Sequence, residues 1–250
     1  MIKVLSQAYS VRRNKVLEKL NCLGDLDWDF FDAIDVNGIH NFDDHTSQKR
    51  YERQVSNPEK SCAVSHFKII TDEKTNLVFE DDFKLLVKVN FKEIVDQLNN
   101  LNHPAVLILG HSRTSPRDFW LQKLKQPLIN KHFLANRVVG ENYKINFYGA
   151  VGYAFNDEFK CTMRLVESVS WVADDWNTIK EISKCRIYHL WDKIIVEDID
   201  ETYHSSLENK VHFRHDSRKK IISNIFKALR AQLIYILNQK YFSYDSNHTQ

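Results

Sequence analysis

Short runs of β-branched and aromatic residues recur along the chain at 2–5, 28–34, 76–79, 105–109, 148–155 and 186–190, each bounded by polar residues. Runs of this length suit strands and are too short for helices. Helical periods fall between them. The stretch 11–20 sets Val16, Leu17 and Leu20 on one face, 61–70 carries a serine at its start, and 91–101 repeats Ile94, Val95 and Leu98. Strand then helix, several times over, predicts a layered α/β fold.

With 250 residues, 43% apolar and 27% charged, the chain is long enough to bury a real core in one large or two small soluble domains. The net charge of +2 is unevenly laid out: acids crowd 25–44 and bases crowd 210–230, so the two regions are expected to face different partners. Cys22, Cys62, Cys161 and Cys185 lack the paired spacing of a zinc site or a disulfide framework, which points to a reducing cytosol. The opening MIKVLSQAYSVRR holds too short an apolar segment for a secretory signal, and no run nears the ~20 apolar residues of a membrane span. Any membrane contact is therefore expected to be peripheral.

Residues 37–59 are polar, contain Gly38 and Pro58 and show no period, so they read as a long functional loop; 111–118 reads as a second. No internal repeat occurs, and the six glycines form no phosphate-cradling loop. A dinucleotide-binding Rossmann enzyme is disfavoured.

Asn76-Leu-Val-Phe-Glu-Asp-Asp82 is an apolar strand that stops in three carboxylates. Open α/β sheets bind ligands beyond the carboxyl ends of their strands, so chemistry is expected there. Carboxylates this close repel one another unless a cation or strong hydrogen bonds compensate them, and Mg²⁺ and Mn²⁺ prefer oxygen donors. Glu80 and Asp82 are spaced to share one ion. Asp81 and Asp82 read equally well as caps of the next turn.

Other landmarks narrow the choice. In order, Arg12-Arg13 after the first strand, Phe30-Phe-Asp-Ala-Ile-Asp35, Ser61-Cys-Ala-Val-Ser-His66, Leu77-Val-Phe-Glu-Asp-Asp82, Gly149-Ala-Val-Gly-Tyr153 and Ala173-Asp-Asp-Trp176 resemble glycosyltransferase family 25. Members of that family include bacterial lipooligosaccharide galactosyltransferases. The resemblance covers residues 1 to about 206 and rests on the order and spacing of several short motifs. It implies a GT-A-type, Rossmann-like nucleotide-sugar domain, with Glu80, Asp81 and Asp82 at a metal-complexed donor diphosphate. The cation would be Mn²⁺ or Mg²⁺, on Glu80 and Asp82. Two departures stand out: Ser61 replaces a usual glycine, and Gly149-Ala-Val-Gly152 matches the family strand loosely, which leaves the acceptor side least defined.

A divalent metal neutralises a departing diphosphate without moving a proton. Arg12 and Arg13 are placed to reach the diphosphate or the nucleobase side with charge-assisted hydrogen bonds, or else form the first turn of a helix. Asp174 and Asp175 are candidate bases for the acceptor hydroxyl, with Trp176 as a platform for a sugar face. The same tetrapeptide also reads as an ordinary helix start with a core tryptophan. The resemblance adds Ser65 and His66 to the donor site, although His66 also reads as a buried structural histidine. Asp32 and Asp35 either line the donor pocket or close a strand-end turn. His189 and His204 are candidate third metal ligands.

From Ser217 to Leu237, Ile222, Phe226, Leu229, Leu233 and Leu237 recur at helical spacing beside Arg218, Lys219, Lys227 and Arg230. This amphipathic basic helix suits an anionic membrane surface, or packing onto the domain that precedes it. The expected division is 1–215 for the transferase domain and 216–250 for the helix and tail. Basic and aromatic residues do not interleave as in a nucleic-acid groove, so no nucleic acid partner is expected. The resemblance implies metal-assisted, inverting transfer of a hexose, galactose from UDP-galactose, to a lipooligosaccharide or lipopolysaccharide acceptor. It places the enzyme in the bacterial cytoplasm, at the inner membrane. A metal-dependent phosphoesterase or nucleotidyltransferase would use the same carboxylates, and a non-enzymatic membrane-surface module would need only the tail.

Overall fold

The computed structural model describes residues 1–20, 27–111, 120, 123–124, 127–142 and 149–198, together with 226, 228–233 and 235–236. In chain order the elements are β1 (Ile2–Ser6), α1 (Arg12–Leu20), β2 (Trp28–Asp32), α2 (Asp44–Tyr51), α3 (Asn57–Thr71), β3 (Leu77–Glu80), β4 (Phe83–Leu85), α4 (Phe91–Asn99), β5 (Ala105–Ile108) and β6 (Gly110–His111). Then follow β7 (Leu128–Leu134), β8 (Arg137–Asn142), β9 (Gly152–Phe155), α5 (Asp157–Arg164), α6 (Trp176–Ser183), β10 (Arg186–Leu190) and β11 (Ile195–Glu197). Eight strands form a mixed sheet in the order β2-β1-β3-β9-β5-β10-β8-β7, and β4-β11-β6 form a small second sheet.

The sheet is covered on both faces, and the period-2 alternation of its strands sorts the core in two. Ile2, Val4, Leu77, Phe79, Leu107, Ala154 and Tyr188 face α1 and α4, which supply Val16, Leu20, Phe91, Ile94 and Leu98. Leu5, Val78, Val106, Ile108, Tyr153, Phe155 and Ile187 face the other way, onto α3, α5 and α6 through Ile69, Ile70, Phe159, Met163, Trp176 and Ile179. The α/β layering read from the sequence is borne out.

The long loop expected over 37–59 is corrected. Asp43 starts α2 by accepting from the Thr46 amide at 3.0 Å and the Thr46 hydroxyl at 2.6 Å. Ser47 is the buried residue of α2, so the helix carries no apolar period to read. α3 starts at Asn57 rather than at 61. Glu59 accepts from the Ser56 amide at 2.8 Å, and Pro58 sits in the first turn, where its missing N–H is no loss.

The β7–β8 hairpin also went unpredicted. Its turn residues Ala135 and Asn136 both have positive φ, 48° and 58°, a primed turn made without the Asn-Gly or Asp-Gly pair that announces one. Residues 112–119, Tyr148, Cys22, His204 and the 215/216 boundary lie outside the described residues. So do Ile222, Leu237, Lys227 and the basic residues 218–220. Of the expected tail helix, the described residues are helical. Ala228 is buried, and the Gln232 amide donates to the Leu124 carbonyl at 2.8 Å. Phe226, Leu229, Leu233 and Ile236 are exposed. Among the described residues no helix is long and apolar enough to cross a membrane.

Candidate active site

β1 runs parallel to both β2 and β3, with Leu5 opposite Glu80 and Ser6 opposite Asp32, so the carboxyl ends of all three strands open on one rim. The three acids after Phe79 meet different surroundings there. Asp81 is held from the β1 side: it accepts from the Ser6 hydroxyl at 2.7 Å, the Ser10 hydroxyl at 3.0 Å and Arg12 Nη1 at 3.2 Å. Asp82 Oδ2 accepts from the same Arg12 nitrogen at 3.3 Å. Its Oδ1 is buried and has no hydrogen-bond partner among the described residues. Burial first, then the charges of Glu80 and Glu197, push the Asp82 carboxyl well above the usual carboxylate range, and the Arg12 guanidinium only partly opposes this.

Glu80 is held from the opposite side. α3 carries Cys62 and His66 toward the end of β3, and β9 carries Tyr153. His66 Nε2 lies 3.2 Å from Glu80 Oε1, and Nδ1 lies 2.9 Å from the Tyr153 hydroxyl. A carboxylate can only accept, so the neutral ring carries its proton on Nε2 and accepts from Tyr153 at Nδ1. Burial, then Glu80, Asp174 and Asp82, raise the Cys62 thiol well above its ordinary value. Burial, then Glu80, raise Asp174, while His66 lowers it. Cys62, Glu80, Asp82 and Asp174 thus act on one another electrostatically at this end of the sheet.

The remaining predicted residues divide. Arg13 reaches Asp32 and the Ser6 carbonyl and lies over the Phe30 ring, so it braces the rim. Asp32 stays largely exposed with that one described partner. Asp35 caps a single 3₁₀ turn, accepting from the amide of Asn37 at 2.9 Å, which is the strand-end reading. Ser65 is fully buried: its hydroxyl donates to the Ser61 carbonyl at 2.7 Å and accepts from the Ile34 amide at 2.9 Å, so it ties α3 to the chain after β2 and does not face the rim.

Asp175 is the N-cap of α6. It accepts from the Thr178 amide at 3.1 Å, the Thr178 hydroxyl at 2.7 Å and the Tyr51 hydroxyl at 2.6 Å. Trp176, expected as a sugar platform, is 1% exposed; its indole donates to the Gly149 carbonyl at 3.0 Å and its ring packs edge-on against Tyr153. That position makes it core, the reading its size and apolarity also allowed. His189 is buried on β10 and is not among the ligand atoms that converge on Glu80. Ser6 and Ser10 were missed as site residues, and Cys62 and Tyr153 entered only as parts of motifs.

The chemistry of two of these acids suits a divalent cation. Glu80 and Asp82 would hold it, because a carboxylate oxygen that is buried among repelling acids, with no partner among the described residues, is what a cation compensates. Gly149, in the looser of the two motifs, has φ of 132°, a conformation that side chains rarely adopt, and its carbonyl receives Trp176. The family model described as glycosyltransferase family 25 (LPS biosynthesis protein) matches residues 4–169. The match takes in Arg12, Cys62, His66, Glu80 to Asp82 and Tyr153, and ends before Asp174. No curated protein matches the chain.

Proposed function

This chain belongs to glycosyltransferase family 25, whose model spans about two-thirds of it, and on that premise we propose that it transfers a hexose from UDP-galactose to a lipooligosaccharide or lipopolysaccharide acceptor with inversion. The domain that does so is read as GT-A in type and as running to about residue 215. The observation that carries the proposal is the state of Asp82: half-buried and raised, with a buried Oδ1 that has no hydrogen-bond partner among the described residues, beside Glu80 at the carboxyl end of a central strand.

When bound there, Mn²⁺ or Mg²⁺ supplies charge neutralisation to the leaving diphosphate. Arg12 is positioned by Asp81 and Asp82, with its guanidinium at the same rim for a phosphate oxygen. Asp81, with three donors, is the fixed member that sets the turn. The base assigned to the acceptor hydroxyl is Asp174. Its raised pKa brings it toward the operating pH, where a carboxylate is the more effective base, whereas Asp175 already accepts three hydrogen bonds.

The direct test replaces Asp82 with alanine and assays sugar transfer in Mn²⁺. Full activity would remove the metal assignment. Titrating UDP calorimetrically with and without Mn²⁺, then a panel of UDP-sugars, checks the cation and the donor. A phosphoesterase would turn over without an acceptor sugar.

The reading includes peripheral attachment to the bacterial inner membrane. It is supported by the exposed Phe226, Leu229, Leu233 and Ile236, at helical spacing beside the exposed Arg230. Liposome co-sedimentation that is unchanged by deleting the residues after Asp216 would end it.

A further inference from the structure

Among the described residues, one group of unlike ligand types converges. A thiol sulfur of Cys62, a ring nitrogen of His66 and a carboxylate oxygen of Glu80 all lie within 4.8 Å of one another. Cys62 and His66 are four apart on α3, so one helical face presents both, and Glu80 closes the group from the end of β3. We propose that these three side chains form a site for a borderline transition-metal ion of the Zn²⁺ class, distinct in donor chemistry from the all-oxygen pair Glu80 and Asp82.

Three features support it. Sulfur, imidazole and carboxylate together are a donor set for zinc, whereas Mg²⁺ and Mn²⁺ favour oxygen. His66 already has an outer partner: Tyr153 sits 2.9 Å from Nδ1, the placement that fixes the ring of a metal-bound histidine. The distances are also close to closing. Zinc with ligand bonds of about 2.0–2.3 Å at tetrahedral angles brings its ligand atoms to roughly 3.5 Å of one another. His66 Nε2 and Glu80 Oε1 stand at 3.2 Å, and Glu80, with its side chain 27% exposed, has room to adjust.

Binding balances simply. The Cys62 thiol releases its proton as sulfur bonds the ion. The His66 proton moves from Nε2 to Nδ1, where it is donated to the Tyr153 oxygen, with no net change on the ring. One proton leaves per ion bound. Occupancy also takes Glu80 away from the oxygen pair, so Zn²⁺ acts against Mn²⁺ at this rim.

The test titrates Co²⁺, as an optical stand-in for zinc, into the full chain. The expected result is a near-ultraviolet sulfur-to-cobalt charge-transfer band that saturates at one ion per chain. It should be lost in Cys62→Ser and kept in Cys161→Ser, whose thiol is exposed elsewhere. Absence of the band at saturation, or its survival in Cys62→Ser, overturns the proposal. Should Cys62→Ser fail to fold, X-ray absorption of the zinc-loaded wild-type chain decides: one sulfur at about 2.3 Å supports the site, and a shell of nitrogen and oxygen alone refutes it. Neither readout depends on sugar transfer, so this site and the transferase reading fail separately.

Discussion

Asp174 and Asp175 are neighbours in sequence but should give opposite phenotypes. Asp175→Ala removes the N-cap bond to the Thr178 amide, the bond to the Thr178 hydroxyl and the bond from the Tyr51 hydroxyl. A cap is worth about 1 kcal/mol and each further hydrogen bond about 0.5–1.5 kcal/mol, so the loss should be roughly 2–4 kcal/mol. At about 2–4 °C per kcal/mol for a chain of this size, the melting temperature should fall by roughly 5–15 °C. The transfer rate, measured well below the melt, should be largely kept. Asp174→Asn keeps the shape and removes a charge that burial and Glu80 oppose, so the melt should hold or rise. If Asp174 is the base, turnover should fall by about 10²–10⁴-fold. Circular dichroism melts beside initial-rate assays separate the two. An Asp175→Ala chain that melts like the wild type but has lost turnover, next to an active Asp174→Asn, would reverse the assignment.

Two further predictions concern the scaffold. Hydrogen bonds from Arg53, with those from Ser56, hold the Glu59 carboxyl down at about 2, against its ordinary 4.5. A lowered folded value means that its stabilisation is complete above about pH 4.5 and is lost as pH falls toward 2, so Glu59→Gln should flatten chemical-denaturation stability across that window. A methyl group added at Gly110 would run into the Ile195 carbonyl, which is backbone of the paired strand β11 and cannot turn aside. Gly110→Ala should therefore cost about 1–3 kcal/mol in a denaturant midpoint, and an unchanged midpoint would mean that the β6–β11 pairing is not kept in solution.

The legible part of the fold is the part that buries apolar side chains. β1, β5 and β10 announce themselves as short apolar runs because each feeds both cores, and α4 by Ile94 and Leu98, which fill one. The missed elements lack such a signal. α2 buries Ser47 and little else, and it is set by the Asp43 cap rather than by a stripe. β4, β6 and β11 are two or three residues long, so no period can develop within them. They exist because β11 returns between the ends of β4 and β6. Pro58 was misread for a different reason: proline marks loops and first helical turns alike, and only the Glu59 to Ser56 bond distinguishes them.

At the candidate site, the sequence shows three adjacent acids but not how differently their surroundings treat them. That difference comes from partners far along the chain: Ser6, Ser10 and Arg12 lie 69 to 75 residues before Asp81, and His66 reaches Glu80 from another element. Parallel pairing of β1 with β3 is what brings the serines under Asp81, and the four-residue step of α3 is what turns Cys62 and His66 toward Glu80 together. Asp81 is thereby satisfied and Glu80 is oriented, while Asp82 keeps a buried oxygen that has no partner among the described residues. A folded chain would ordinarily pair or neutralise such an atom, since leaving it bare costs about 1–3 kcal/mol or more for a charged group. The stability given up at Asp82 is the physical ground on which the proposed cation-binding role rests, and the helix caps Asp43 and Asp175, whose carboxylates are satisfied, lack it.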